Sequence, residues 1–208
     1  AKIVKEVNKE VAAIIGINPA ARTTCVKPSG NASVLLQTAS GIHAEHSDMY
    51  IRNVQMNKES EITQAIIKSN PYMVEDSVWS ASGTDVVVSF PIIPHKGSIL
   101  KDDLLGVTHL EKVKMAQKHW VVAGTNEELC ADKGIRHNVS NTIIVDDWNE
   151  VEEYVFKNRH SFAGISFLSM SGDKDYNQAP NTAVINAKKM VKKYDEAGDK
   201  ELVAKLKQ

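Results

Sequence analysis

Residues 27–33, with the sequence Lys-Pro-Ser-Gly-Asn-Ala-Ser, combine residue types that bind phosphate groups. Pro28 fixes the backbone as it enters a turn, and Gly30 lets a ligand approach the backbone without a Cβ in the way. A helix that begins at this turn presents free backbone N–H groups to an anion. The hydrogen-bonding and charged side chains of the segment are Lys27, Ser29, Asn31 and Ser33. Because Pro, Ser, Gly and Asn also dominate ordinary turns, the segment is either a phosphate-binding turn or a plain surface turn.

Histidine, glutamate and cysteine side chains offer a second kind of chemistry, since they are good metal ligands. His43, Glu45 and His46 lie close together in the sequence, but the H-E-x-x-H pattern is absent and a third, distant ligand is needed. We therefore predict a structural or substrate-side loop there, and no metal site. Cys25 and Cys130 form no C-x-x-C pair, which argues against a disulfide framework and against a cysteine-rich zinc site.

The elements that position these residues alternate between helices and strands. The predicted helices cover residues 4–15, 32–39, 58–69 and 108–122 and a segment that begins after Asp147. The predicted strands cover residues 49–57, 86–90, 138–145 and 165–168, and Pro91 is expected to end the second of them. This alternation indicates an α/β fold with parallel strand pairing. Residues 182–208 are lysine-rich and are predicted to be helical.

Local signals mark several helix ends and faces. Gly16 follows the last apolar residue of the first helix, where a left-handed C-terminal cap is expected. Asp147 and Glu150 have the spacing of a capping pair. Trp120 and Trp148 fall on apolar helix faces, and we predict that both pack in the core.

The composition excludes several classes of function. Of the 208 residues, 42% are hydrophobic and 25% are charged, which is typical of a soluble globular chain. The formal net charge of −1 predicts no general affinity for nucleic acid, and the lysines near the C-terminus are interpreted as a solvated helix face. No apolar run approaches the length that spans a bilayer, and the N-terminus is amphipathic rather than signal-like. We therefore predict no membrane association and a cytoplasmic location.

Short motifs in series resemble one protein family. They are residues 27–30, 40–43, 50–52, 137–143, 161–168, 172–176 and 178–180. In this order they are similar to the C-terminal half of the catalytic barrel of adenosylcobalamin-dependent (class II) ribonucleotide reductases. The resemblance implies that residues 1–185 form the C-terminal portion of a ten-stranded α/β barrel and that residues 186–208 form a lysine-rich helical tail.

The resemblance also implies where the substrate is bound. In the family, a loop and helix start at this place hold the phosphates of a ribonucleoside di- or triphosphate. The corresponding residues are Pro28, Ser29, Gly30, Asn31, Ala32 and Ser33. Most relatives have threonine at the position of Asn31, so a hydroxyl contact is lost there, although an amide side chain still donates.

The family reduces ribonucleotides with a cysteine thiyl radical, a glutamate base and two redox cysteines on a finger loop. Neither Cys25 nor Cys130 lies in such a setting, so we expect no catalytic residue in this chain. The resemblance then implies that this chain is one part of a reductase and is inactive by itself. Its partner would be the N-terminal reductase fragment, which carries the finger-loop cysteines. The complete enzyme would bind adenosylcobalamin. The alternative is a non-catalytic nucleotide-binding or assembly module derived from a reductase barrel.

Overall fold

The computed structural model of the chain describes residues 1–170 and 178–184. Two compact units are present, Ala1–Ala44 with Lys101–Asp173, and Glu45–Leu100 with Lys174–Gln208. Helices and strands occur together, as expected of an α/β fold. The proposed division at residue 185 stays a prediction, since residues 185–208 lie outside the described ranges.

Five α-helices and six strands are assigned within the described residues. The helices are α1 (Lys2–Ile15), α2 (Asn31–Leu35), α3 (Glu61–Ser69), α4 (Gly106–Ala116) and α5 (Trp148–Lys157). The strands are β1 (Tyr50–Asn57), β2 (Val74–Asp76), β3 (Asp85–Ile92), β4 (Ile143–Val145), β5 (Phe167–Ser169) and β6 (Asn181–Ala183). Each predicted helix and strand is present, and β2 and β6 are additional strands that the sequence pattern does not predict. Thr182 and Ala183 lie in β6, so the helix predicted from residue 182 is wrong at its start.

The helix-end signals act as the sequence predicts. Gly16 adopts φ 74° and donates its N–H to the Ala12 carbonyl, which closes α1. The Asp147 carboxylate caps α5 by accepting the N–H groups of Asn149 at 2.9 Å and Glu150 at 3.2 Å. Each of these caps depends only on residues that are close in the sequence, which explains why the sequence alone predicts it.

The core of the first unit lies between α4, α5 and the parallel pair β4–β5. Its fully or nearly fully buried residues are Leu110, Val113, Val121, Val139, Ile143, Val145 and Val151. Each side chain of this kind contributes roughly 1.5–3 kcal/mol by burial. Ile143 and Val145 are buried, whereas Ile144 between them is half-buried, so β4 directs one face to this core.

The second unit is built on a four-stranded sheet with the order β2-β3-β1-β6. Every neighbouring pair in it is antiparallel, and β1 pairs with β3 along its whole length, from Tyr50 opposite Ile92 to Asn57 opposite Asp85. Parallel pairing is therefore correct for β4–β5 and wrong for this sheet.

The connection between β1 and β3 explains the difference. Helix α3 crosses back so that β2 runs in the same direction as β1, which is the pattern that the sequence suggested. A turn over residues 77–84 then reverses the chain and inserts β3 between them, with the Ser77 N–H donating to the Asp85 carbonyl at 3.1 Å. Gly83, with φ 66°, supplies the left-handed position in that turn.

Two other expectations need correction, one on Pro91 and one on the two tryptophans. Pro91 does not end β3, because β2 pairs with β3 only as far as Val88 and leaves β3 an edge strand on that side, where proline is tolerated. The helix that carries Trp120 continues α4 as a π-helix over Gln117–Val122. Trp120 and Trp148 are 73% and 52% exposed, so neither is a core residue of this chain. Trp148 keeps a ring contact to Phe167, with 6.0 Å between centroids.

Within the described residues, no helix combines the length and the apolar character that crossing a bilayer requires.

Candidate phosphate-binding loop

The predicted loop begins directly after a point where the backbone is anchored. Val26 forms a parallel bridge with Val139, in which the Val26 N–H donates to the Asn138 carbonyl and the Ser140 N–H donates to the Val26 carbonyl, both at 2.8 Å. Pro28 follows two residues later, and α2 begins at Asn31. The loop is therefore held at one end by strand pairing and at the other by a helix.

The serine side chains of the loop bond within the loop itself. The buried Ser33 hydroxyl donates to the carbonyls of Ser29 and Gly30, the latter at 2.9 Å. The Ser29 hydroxyl accepts the Ser33 N–H at 3.3 Å. Both hydroxyls thus shape the turn, so a ligand would be bound mainly through other groups.

The backbone N–H groups at the start of α2 remain open. Gly30 is the N-terminal cap residue and makes no side-chain hydrogen bond to the helix. Asn31 and Ala32 are exposed, and N–H groups in a first helical turn have no acceptor inside their own helix. These two N–H groups, with the Asn31 side-chain amide, are the donors that an anion can reach.

Lys27 supplies a positive charge next to the loop. Its exposed ammonium group donates to the Ser140 hydroxyl at 3.1 Å. That contact ties the lysine to the segment which pairs with Val26.

A second loop, residues 40–43, packs against the first. The Ser40 hydroxyl donates to the Ser29 carbonyl at 2.6 Å. Gly41 has φ +62°, and a Cβ there would lie 3.1 Å from the Pro28 Cα. Only glycine meets both conditions without strain, so Gly41 allows the two loops to touch.

His43 connects this second loop to the rest of the unit. Its Nδ1 bonds to the Ser40 carbonyl at 3.1 Å, and its Nε2 accepts the Thr142 N–H at 3.4 Å. An acceptor at Nε2 and a donor at Nδ1 define the neutral tautomer. The His43 ring contacts the His109 ring edge-on, with 5.2 Å between centroids.

His109, on α4, is a functional-site neighbour that the sequence did not reveal. It is 3% exposed, and its Nε2 atom has no hydrogen-bond partner within the described structure. Burial, followed by the proximity of His43, lowers the pKa of His109 to about 4, although a hydrogen bond to the Ile42 backbone opposes the shift. His109 is therefore neutral at pH 7. A buried histidine on a helix gives no sequence signal of which loop it will contact.

In the second unit, the polar residues that follow this loop form a closed cluster. The buried Glu45 carboxylate accepts the Tyr50 hydroxyl at 2.9 Å, and Arg52 donates to the Tyr50 oxygen at 3.0 Å. Burial and the Glu45 hydrogen bond raise the pKa of Tyr50 to about 12. The Glu45 carboxylate is thus occupied by its hydrogen bond to Tyr50. Within the described residues, no group of three or more His, Cys, Asp or Glu side chains is arranged to hold a metal ion.

Comparisons with known proteins agree on one kind of relative. The chain is 29% identical over 119 residues to a probable adenosylcobalamin-dependent ribonucleoside-triphosphate reductase of Dictyostelium discoideum, covering 57% of the chain and 15% of that protein. It is 23% identical over 170 residues to such a reductase of Levilactobacillus brevis, covering 82% and 21%. A third, of Euglena gracilis, is 26% identical over 171 residues, covering 81% and 21%. No protein-family model matches the chain.

The chain is a relative of the adenosylcobalamin-dependent ribonucleotide reductases. Its fold agrees: a crystal structure of a B12-dependent class II ribonucleotide reductase matches 99% of this chain and 26% of that chain, with TM-score 0.64 and 19% identity. The family resemblance and the α/β class are therefore confirmed. The chain spans about one fifth or less of the length of the curated relatives it matches.

The remaining sequence motifs of this reductase relative have different outcomes. His137 bonds through Nδ1 to Thr24, with 2.7 Å to the Thr24 carbonyl, and Asn138 contributes its carbonyl to the Val26 bridge, so both residues hold the segment that leads into the loop. Residues 173–176 lie outside the described ranges. Cys25 is exposed, Cys130 is half-buried, and both are free thiols.

Proposed function

We propose that this chain is part of an adenosylcobalamin-dependent ribonucleotide reductase and that Pro28, Ser29, Gly30, Asn31, Ala32 and Ser33 hold the phosphates of its ribonucleotide substrate. The observation that carries the proposal is the start of α2, where the first-turn residues Asn31 and Ala32 are exposed and follow a turn that is anchored on both sides. Relatives named as ribonucleoside-triphosphate reductases make a triphosphate the first substrate to test.

The contribution of the chain to the reaction is to position the substrate. Backbone N–H groups fixed at a helix start hold the phosphates in one place, so that the ribose meets the radical-bearing group at a set distance. The thiyl radical and the redox cysteines belong to the remainder of the enzyme in this proposal. Adenosylcobalamin supplies radical initiation in the complete enzyme, and we assign none of the described residues to it.

Apolar side chains on α1 and α2 support a partner that completes the molecule. Among the most exposed are Ile3 at 74%, Ile14 at 75% and Leu35 at 83%. Large exposed apolar side chains on helices are typical of surfaces that another chain covers. The proposed partner is the N-terminal reductase fragment that carries the finger-loop cysteines. We expect the isolated chain to associate or aggregate, and a monomer that melts sharply in sedimentation and thermal experiments would contradict the partial-barrel proposal.

Reconstitution tests the proposed function. The chain is mixed with a cysteine-bearing N-terminal fragment of a relative, adenosylcobalamin, a dithiol and a ribonucleoside triphosphate, and deoxynucleotide is measured by chromatography. We expect product in the complete mixture and none when either protein is omitted. If the two proteins form a complex but no deoxynucleotide appears, the chain is better explained as a nucleotide-binding or assembly module.

A further inference from the structure

The polar contacts behind the phosphate loop form one continuous series. From the loop outwards they are the Ser29 carbonyl, the Ser40 hydroxyl, the Ser40 carbonyl, the His43 ring and the Thr142 N–H. All of these residues belong to the first unit. His43 is the only side chain of this series that bonds in two directions, to Ser40 on one side and to Thr142 on the other.

We propose that His43 is the positioning residue of the phosphate loop: its neutral ring fixes Ser40, and through Ser40 the Ser29 carbonyl, so that the N–H groups of Asn31 and Ala32 stay aimed at one point. This inference rests on the proposed function of the loop. In this proposal His43 acts through Ser40 and does not touch the substrate.

The phosphate loop includes a very short helix. Helix α2 has only 5 residues, which is too short to be stable by itself in water. The loop therefore depends on tertiary contacts for its conformation. The Ser40 hydroxyl is the contact from outside the loop to the carbonyl of Ser29, and Gly41 packs against Pro28 beside it.

His109 explains why the residue at this position is a neutral histidine. The buried His109 ring lies nearly perpendicular to the His43 ring, and His109 itself is neutral at pH 7. A lysine or arginine in place of His43 would bring an unpaired charge against this buried ring, which is unfavourable. A neutral imidazole supplies a donor and an acceptor without a charge.

The two side-chain hydrogen bonds of His43 can be removed separately, whereas its backbone N–H, which also donates to the Ser40 carbonyl at 3.1 Å, is kept in every variant. In H43N the side-chain amide nitrogen lies near the position of Nδ1 and keeps the bond to Ser40. In H43Q the amide oxygen reaches towards the position of Nε2 and keeps the bond to Thr142. H43L removes both bonds with a side chain of similar size, and S40A removes only the hydroxyl that bonds to Ser29.

The experiment is a titration of the ¹⁵N-labelled full chain with inorganic triphosphate, at a protein concentration low enough to keep the chain in solution, followed at the amide signals of Gly30, Asn31 and Ala32. We expect H43L and S40A to weaken binding about fivefold or more, and H43N to stay within about twofold of wild type. H43Q should weaken binding like H43L, because the bond to Ser40 matters in this proposal. S47A, which removes a hydroxyl bonded to the Met49 carbonyl at 2.6 Å, is the matched control and should bind like wild type.

The outcomes separate the two proposals. If wild type binds at these amides and H43L binds equally well, the phosphate loop stands and His43 is not its positioning residue. If H43N is as weak as H43L, the bond to Ser40 is not the cause, and the inference is wrong. If the wild-type amides do not respond to triphosphate, the proposed phosphate-binding function of the loop is wrong, and so is the role of His43 that rests on it. Because S40A changes a half-buried serine only, it keeps the test valid even if the His43 variants fail to fold.

Discussion

Two neighbouring stretches of this chain, the phosphate loop at Pro28–Ser33 and the cluster of Glu45, Tyr50 and Arg52, use similar polar chemistry in opposite ways. In the loop, hydroxyl groups bond inwards and leave backbone N–H groups open at the surface. In the cluster, a buried carboxylate, a phenol and a guanidinium bond to each other. The first arrangement is suited to bind a ligand, whereas the second stabilises the fold. The difference between them is therefore where the unused donors lie, and not which residue types are present.

The largest effect that we predict concerns the support of the loop. His109 is neutral in the folded chain because burial lowers its pKa from 6.5 to about 4. Below pH 6.5 the unfolded chain binds a proton that the folded chain does not, so the free energy of unfolding falls as the pH falls from 6.5 towards 4. Over the whole interval, the protonation of His109 should lower the free energy of unfolding by about 3 kcal/mol.

Urea denaturation of the wild type and of H109L between pH 4.5 and 7 measures this effect. We expect the wild type to lose more stability than H109L over that interval. H95L, at an exposed histidine, is the control and should keep the wild-type pH dependence. Parallel curves for wild type and H109L would show that His109 is not held neutral, which would remove the electrostatic reason for a neutral His43.

The second prediction breaks the closed cluster. Y50F removes the hydroxyl that donates to the buried Glu45 and accepts from Arg52. A buried carboxylate left without its donor should lower the free energy of unfolding by about 2 kcal/mol. Y72F, at a half-exposed tyrosine, is the matched control and should change stability little. Triphosphate binding should stay within about twofold of wild type in both variants. A loss of affinity in Y50F without a loss of stability would mean that the cluster is part of the binding site.

The third prediction concerns the open donors. A32D places a carboxylate at the first turn of α2, where it interacts favourably with the helix dipole and repels a phosphate. We expect triphosphate affinity to fall about tenfold, which corresponds to about 1.4 kcal/mol, while the melting temperature is unchanged or slightly higher. A32N is the uncharged control and should bind within about threefold of wild type. Equal affinities of A32D and A32N at low salt would contradict a phosphate site there.

Local features of this molecule are visible in its sequence, and contacts between distant segments are not. The Gly16 cap and the Asp147 cap need only their own neighbours, and both are where the sequence puts them. The insertion of β3 between β1 and β2 depends on the turn over residues 77–84. The sequence marks a turn there but does not show between which strands the reversed chain will pair. His109 and Thr142 meet His43 from segments far away in the chain, so the support of the loop was missed.

The exposure of Trp120 and Trp148 follows the same logic. An apolar ring on a helix face predicts burial, but burial requires a surface to pack against. In this chain, which spans a small share of its relatives' length, these rings are exposed. The sequence pattern predicts that a helix face is apolar, but it does not show whether the described residues of the chain supply a surface that buries it.

The most direct test of the central claim is a titration of the ¹⁵N-labelled wild-type chain with a ribonucleoside triphosphate such as CTP, with every assigned amide followed. We expect saturable shifts that are largest at Gly30, Asn31 and Ala32, are suppressed in A32D, and are reproduced by inorganic triphosphate but not by cytidine. Shifts that are centred elsewhere, or that cytidine produces equally well, would contradict it, because the loop would then not be the group that holds the phosphates.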